Sequence, residues 1–363
     1  MWVDNISATN FRNLQVQNQV LSPGVNILHG MNAQGKTSFL ESIYFCAFGR
    51  TMRLGSTDKD LICFGEQAAH VKIDIHRGNL PTTLDAHMER VGNKTKKGIF
   101  ANNLPIKHMK DLFGRLLVVM FSPEDLRLIK AGPYERRRFM DMEICQLSPV
   151  YYSDLKEYHK VLKQRNTLLK TLYKDKSLQD SLSIWDEQLA NYGRRIIRAR
   201  KTFVKKICEL AKEIHYNITQ GTENLQLTYE PSITNEENYL EIITKANNRD
   251  ITQGTTTLGI HKDDINFTIN NISARYFGSQ GQQRTAALSA KLAEIEIIKL
   301  STAETPILLL DDVLSELDGK RQQFLLAQIN EMQTIVTCTG LEDVLLQMGD
   351  SHHIMKMQNG IIE

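Results

Sequence analysis

The chain of 363 residues has five cysteines, Cys46, Cys63, Cys145, Cys208 and Cys338, and no pair of them stands in a C-x-x-C spacing or beside a histidine partner. That scarcity argues against both a structural zinc site and a disulfide framework. No run approaches the ~20 consecutive apolar residues needed to cross a bilayer. The opening Met1-Trp2-Val3-Asp4-Asn5 lacks the basic-then-apolar order of a secretory signal. Internal repeats and low-complexity tracts are absent too, which removes solenoids and disordered tails from consideration. The expectation is a cytoplasmic, reduced protein without a membrane partner.

With 41% apolar residues, the chain can bury a full core and fill two structural units. Its net charge of +2 averages two unlike regions. Between Arg127 and Glu213 there are 20 Lys/Arg against 11 Asp/Glu, so this segment carries +9 and the remainder −7. An imbalance of that kind points to one region meeting a polyanion, although helical insertions are often basic for solubility alone.

The chemistry concentrates at Gly30-Met31-Asn32-Ala33-Gln34-Gly35-Lys36-Thr37, which fits Gly, any four residues, Gly-Lys-Thr. Val25 to Leu28 reads as a short buried strand in front of it, and Thr37-Ser38-Phe39-Leu40 as the opening of a helix behind it. Such a loop points successive N–H groups at one spot, and the helix N-terminus adds partial positive charge. Glycines let the main chain close on phosphate oxygens, Lys36 reaches the β- and γ-phosphates, and Thr37 is placed to hold Mg²⁺. The expected ligand is ATP, held by residues 30–38.

Strands are expected at Val3–Thr9, Val25–Leu28, Ala69–His76, Thr83–Val91 and Leu116–Phe121, where short apolar or alternating runs end in Gly, Pro or Asn. From Pro133 to Tyr216 the chain becomes charged and helix-friendly. Tyr151, Leu155, Tyr158, Leu162, Leu169 and Leu172, and then Leu189, Ile196, Ile197, Phe203, Ile207 and Leu210, recur near helical spacing. Two antiparallel helices of roughly 25–35 residues, broken near Lys174 to Gln179, are expected. A helix at Tyr239–Ile243 and a strand at Ile265–Ile269 come next. Helices from Gly281, Gly319 and Leu341 then alternate with strands Ile307–Leu310 and Thr334–Thr337, the pattern of a mostly parallel sheet.

Pro306-Ile307-Leu308-Leu309-Leu310-Asp311-Asp312 is a buried strand that releases two acids at its C-terminal edge. In a parallel sheet that edge presents a carboxylate to Mg²⁺, which makes Asp311 the metal-side acid. Asp312 is placed to polarise an attacking water, so Lys36 and Asp312 are the candidate catalytic pair. Ser279-Gln280-Gly281-Gln282 precedes a long helix and forms a second phosphate-facing turn. It resembles the signature motif of ABC-type ATPases, with Ser279, Gly281 and Gln282 at the matching positions, and Ser315-Glu316-Leu317-Asp318 resembles the D-loop of that class. In that class the signature of one subunit closes over nucleotide held by another, so one copy of each motif implies an ATP-dependent homodimer.

These motifs, together with Asn10-Phe11-Arg12-Asn13-Leu14 and the block from Phe121 through Pro133 to Phe139, make the chain resemble the RecF family of DNA-repair ATPases nearly end to end. Gly259, His261, Asp263 and Asp264 fall in a further family block, in which Ile260 and Lys262 replace Pro and Arg; the role of His261, Lys262, Asp263 and Asp264 is left open. The resemblance implies an α/β fold: an ABC-type P-loop ATPase head built from both chain ends (1–132 and 258–363), with an inserted, mostly α-helical basic arm (133–257). It also implies ATP-dependent dimerisation on DNA, recombinational repair and replication restart in the DNA-damage (SOS) response, loading of the recombinase at gapped DNA, weak DNA-stimulated ATP hydrolysis, and RecR and RecO as partners.

Three departures bear on rate. Ala33 stands where glycine is usual, no glutamine is evident in the region of Ser122-Pro123-Glu124, and Thr337-Cys338-Thr339 replaces a switch histidine. With the short reach of Asp312, they point to slow hydrolysis. Candidate DNA-backbone contacts are Arg136, Arg137, Arg138, Arg194, Arg195, Arg198, Lys201, Lys205 and Lys206, several of them on one helical face. Two rival readings are the nucleotide-binding subunit of a membrane ABC transporter and a small-molecule kinase.

Overall fold

Alternating apolar residues carry the first third of the chain into strands, and the computed structural model describes every residue except 54, 79, 174, 175, 330 and 341–351. From the N-terminus, β1 (Trp2–Phe11) turns into β2 (Leu14–Val20), and β3 (Val25–His29) leads to α1 (Lys36–Phe48). A meander of β4 (Ala68–Arg77), β5 (Leu80–Val91), β6 (Lys94–Ala101) and β7 (Leu104–Pro105) precedes β8 (Val118–Phe121). Helices α2 (Arg127–Lys130), α3 (Pro133–Leu147), α4 (Pro149–Leu172) and α5 (Leu182–Ile218) follow. Next come β9 (Leu225–Glu230), α6 (Tyr239–Lys245), α7 (Asn247–Gln253), β10 (Asp264–Ile269), β11 (Ile272–Ser273), α8 (Ala274–Phe277) and α9 (Gln280–Thr302). The chain closes with β12 (Ile307–Asp311), α10 (Gly319–Ile329), β13 (Thr334–Cys338), β14 (His352–Gln358) and β15 (Ile361–Ile362).

The chain divides into two compact units, Met1–Asp125 with Glu294–Glu363, and Leu126–Ala293. The first holds two six-stranded sheets. One is antiparallel, ordered β2-β1-β4-β5-β6-β7. The other, ordered β15-β14-β3-β13-β12-β8, is parallel apart from the terminal β14–β15 pair. Helix α1 packs against strands of both sheets. It is accordingly buried nearly all round, Thr37 being its one residue that is not buried, and the polar residues Lys36, Ser38, Glu41 and Ser42 are buried with the apolar ones.

In the second unit α4 and α5 lie antiparallel: Asp154 pairs with Arg195 and Arg165 with Asp186, so partner numbers fall along one helix as they rise along the other. The expected pair of arm helices is in fact three. Ser148 caps α4 by accepting the Tyr151 N–H at 3.2 Å, and Pro149 occupies the first helical position, so α3 ends there. Strand β10 pairs along its length with β9. Residues 258–293, which the sequence places in the head, therefore group with the helices. The helix expected from Leu341 lies outside the described residues, as do Lys174 and Asp175 of the break expected near Lys174 to Gln179; the rest of that break is a 3-10 segment, Lys176–Ser181, between α4 and α5. Strands β2, β6, β9 and β14, with the two-residue strands β7, β11 and β15, are additional to the sequence expectations.

Candidate nucleotide-binding site

The loop after β3 has the backbone a phosphate cradle requires. Gly30 has φ 156° and Gly35 φ 116°. A Cβ on Gly30 would come within 2.4 Å of the Met357 carbonyl oxygen, so only glycine fits there. Ala33 also has positive φ, 63°, which costs an L-residue about 1–2 kcal/mol; this is the physical content of the departure from glycine. Lys36 folds over the loop, and its Nζ donates to the carbonyls of Gly30 at 2.6 Å and Met31 at 2.9 Å. Burial lowers the pKa of its ammonium, against the pull of Asp312 and Asp311.

Parallel pairing brings the acids to this loop. Strand β13 lies between β3 and β12, with Thr337 in register with both Leu28 and Asp311. Thr37 Oγ1 donates to Asp311 Oδ1 at 2.9 Å, joining residues 274 positions apart. Thr337 Oγ1 donates to the same oxygen at 2.9 Å. Burial raises the pKa of the Asp311 carboxyl, opposed by the hydrogen bonds from Thr337 and Thr37. Asp312 adopts φ 53°, and its N–H donates to Thr337 Oγ1 at 3.0 Å. Thr337, in the stretch Thr337-Cys338-Thr339 that replaces a switch histidine, thus braces both acids. Its neighbour Cys338 is a poor nucleophile, because burial pushes its thiol up to about 11.

A cavity of about 600 Å³ opens at this point, lined by Asn32, Ala33, Gly35, Lys36, Thr37, Ser38, Asp311 and Asp312 from the expected set. The lining also includes eight residues to which sequence reasoning gave no site role: Arg12, Asn13, Arg53, Lys59, Asp60, Ile62, Phe64 and Arg90. Arg12 lay within a quoted family block but carried no assignment. In the fold, its guanidinium forks onto the buried Glu41 of α1 at 2.8 and 2.9 Å, and Arg53 reaches the same carboxylate at 3.0 Å. Five cations and the three carboxylates of Asp60, Asp311 and Asp312 line the cavity; with Glu41 set behind two of the arginines, the balance is still positive, which suits a triphosphate. Phe64, 99% exposed, offers a ring at its edge. Glu124, in the region searched for a water-positioning glutamine, is not among the lining residues.

The oxygens of Thr37 and Asp311 fit Mg²⁺. The 2.9 Å between them is about the edge of an octahedron with bonds of 2.0–2.1 Å, and Mg²⁺ is usually bound by one or two carboxylates plus substrate phosphates.

The signature turn belongs to the second unit. Ser279 Oγ accepts the Gln282 N–H at 3.2 Å, while the Gln282 side chain accepts the Ser279 N–H at 2.9 Å. This reciprocal capping box starts α9 and leaves Ser279 exposed. Gln282 also donates to Glu223 at 3.0 Å, and Glu223 in turn meets the buried His215 at 3.0 Å.

The basic candidates separate sharply. Arg136 is corrected: it is buried and forks onto Asp264 at 2.6 and 2.8 Å, so it cannot reach DNA. Arg137 donates to the Asp263 carbonyl at 2.7 Å. Arg138 pairs with Glu135, Arg195 with Asp154, Arg198 with Glu237, and Lys201 with Glu236. Arg194 has its Nε buried, whereas Lys205 and Lys206 are exposed. The open family block acquires a structural role. Asp263 receives Arg200 and the Ser232 N–H at 2.8 Å each, along with the Tyr229 hydroxyl, and His261 bonds Tyr158 and the Thr256 carbonyl at 3.1 Å.

The family model for the RecF/RecN/SMC N terminal domain matches residues 2–363. The DNA replication and repair protein RecF of Lachnospira eligens is 46% identical over 362 residues, covering 99% of this chain and 98% of that protein. RecF of Lachnoclostridium phytofermentans is 47% identical over 363 residues, covering 100% and 99%. A solved structure of the recombination mediator RecF with ATP in the RecFOR pathway superposes with a TM-score of 0.92 at 34% identity, covering 100% of this chain and 97% of that one. An Smc head domain derived from Pyrococcus furiosus, at 16% identity and a TM-score of 0.57, shares the fold.

Proposed function

Because the chain belongs to the RecF family of DNA replication and repair proteins, we propose that it is an ATP-driven clamp that pairs on DNA and hydrolyses ATP slowly. The observation that carries this reading is the contact of Thr37 with Asp311, which completes a hydroxyl–carboxylate pair beside the phosphate loop. Lys36, Arg12, Arg53 and Lys59 neutralise the triphosphate. Thr37 and Asp311 would hold Mg²⁺, which would supply charge stabilisation to the transferring phosphate. Asp312 orients and deprotonates the attacking water, and its one-carbon reach keeps turnover low.

In this reading Ser279, Gly281 and Gln282 of a second copy close the γ-phosphate, so ATP works as a latch. The Arg198–Glu237 pair is exposed on both sides and cheap to exchange, while Arg195 and Lys201 are half-exposed cations on more buried carboxylates. With Lys205 and Lys206 these three cations form a backbone-reading face on α5, free of base specificity. RecR and RecO are the proposed protein partners and the cytoplasm the proposed compartment; the RecFOR pathway named for the solved relatives supports a recombination-mediator setting. The transporter-subunit alternative is not favoured, since the relatives above are named for DNA replication and repair.

Sedimentation of the purified protein with Mg²⁺-ATP and duplex DNA, at two salt concentrations, tests the proposal. The expected result is pairing only with ATP and DNA affinity that falls steeply with salt. A species that stays single with ATP, or binds DNA without salt dependence, would contradict it.

A further inference from the structure

Away from the nucleotide cavity, the ladder between β4 and β5 assembles three side chains with metal-ligand chemistry. His70 and His87 are direct cross-strand partners. Asp85 stands two residues before His87, so strand alternation puts all three on one face. That face looks away from the core, because the intervening Leu84, Ala86 and Met88 are buried. Asp85 Oδ1 is 2.6 Å from His70 Nε2 and 2.9 Å from His87 Nε2. The ligand atoms of the three residues lie within 4.8 Å of one another. The two imidazoles stack with centroids 4.3 Å apart, and Phe100 meets His87 edge-on at 5.7 Å.

We propose that His70, Asp85 and His87 form a binding site for one divalent transition-metal ion, zinc foremost. Two ring nitrogens and one carboxylate oxygen gathered within 4.8 Å of one another are the donor set of a three-ligand zinc site with its fourth position open. Tetrahedral bonds of about 2.0–2.2 Å require donors roughly 3.3 Å apart. The observed 2.6 and 2.9 Å would widen by about half an ångström, which small side-chain rotations supply without disturbing the ladder. The stacked rings and Phe100 restrict the imidazoles to orientations near the binding one, reducing the ordering cost of capture. Imidazole donors prefer zinc, copper and nickel, whereas oxygen-only sites suit magnesium. This site and the Thr37–Asp311 site therefore sort different cations, and the magnesium that accompanies ATP does not compete here.

The test is titration of the full-length protein with zinc chloride against a chromophoric chelator in excess magnesium. It compares wild type with His70→Asn, His87→Asn and the double variant, using ATP binding and thermal melting as controls of folding. One zinc per chain is expected in wild type, weakened about tenfold or more by each single change and abolished by the double change. X-ray absorption of the zinc-loaded wild type, which needs no variant, is expected to show nitrogen and oxygen neighbours with imidazole scattering. Zinc uptake equal in wild type and the folded double variant, or sulfur in the coordination shell, would overturn the proposal.

Discussion

In the first unit Lys36, Asp311, Asp312, Arg12 and Arg53 line a cavity of about 600 Å³, whereas in the second Arg136, Arg165 and Arg200 end inside the protein. Arg165 spreads over Asp186, Asp250, Thr256 and Asn247 at 2.7 Å each. Arg200 joins Asp141, Asp263 and the Ile260 carbonyl. Both arginines are essentially inaccessible. The difference teaches that a segment's net charge does not measure the charge it shows to a partner. Part of the +9 read from the helical segment is spent on bracing α3 and α5 against the block that contains Asp263 and Asp264, and α4 against α5 and α7.

The sharpest way to break this contrast is to delete one brace. Arg200→Ala leaves buried carboxylates uncompensated and should destabilise the protein by about 3–5 kcal/mol, read by denaturant unfolding. Lys36→Arg should leave the unfolding midpoint near that of wild type. It should lower ATP turnover by about 10²-fold, because a planar fork replaces the point charge that the loop is shaped around. If instead Arg200→Ala were as stable as wild type, the arginine would be a surface charge and the contrast would fail.

A smaller effect concerns pH. Burial lowers His261 to about 4, below its ordinary 6.5. Above both values His261 is neutral folded or unfolded. As pH falls from about 6.5 towards 4, the unfolded chain takes up the proton first, so stability is lost across that window, by at most about 3 kcal/mol. His261→Asn should flatten this acid limb in melts between pH 7 and 4; an unchanged limb would assign it to other groups.

Legibility in the sequence followed the range of the physics. The phosphate loop and acidic strand were readable because each is local: a glycine spacing, and an apolar run ending in acids. Their meeting was inferred from chemistry, and β13 supplies the geometry by lying between β3 and β12. Arg12 and Arg53 carried no local signal, since their place in the cavity depends on the buried Glu41 in α1. Arg136 was misread for the same reason, because its partner Asp264 lies 128 residues away. Ser148-Pro149, by contrast, was a readable cap and helix start that the run of helix-friendly residues obscured.

The central claim is that ATP held by Lys36 and Thr37 is completed by Ser279 of a second copy. Because Ser279 also caps α9, the variant to use is Ser279→Asp, which keeps a capping oxygen but sets a negative charge against phosphate. Sedimentation velocity of this variant with Mg²⁺-ATP should show a single chain that still binds ATP, beside a paired wild type. Normal pairing of Ser279→Asp in ATP would contradict the shared site.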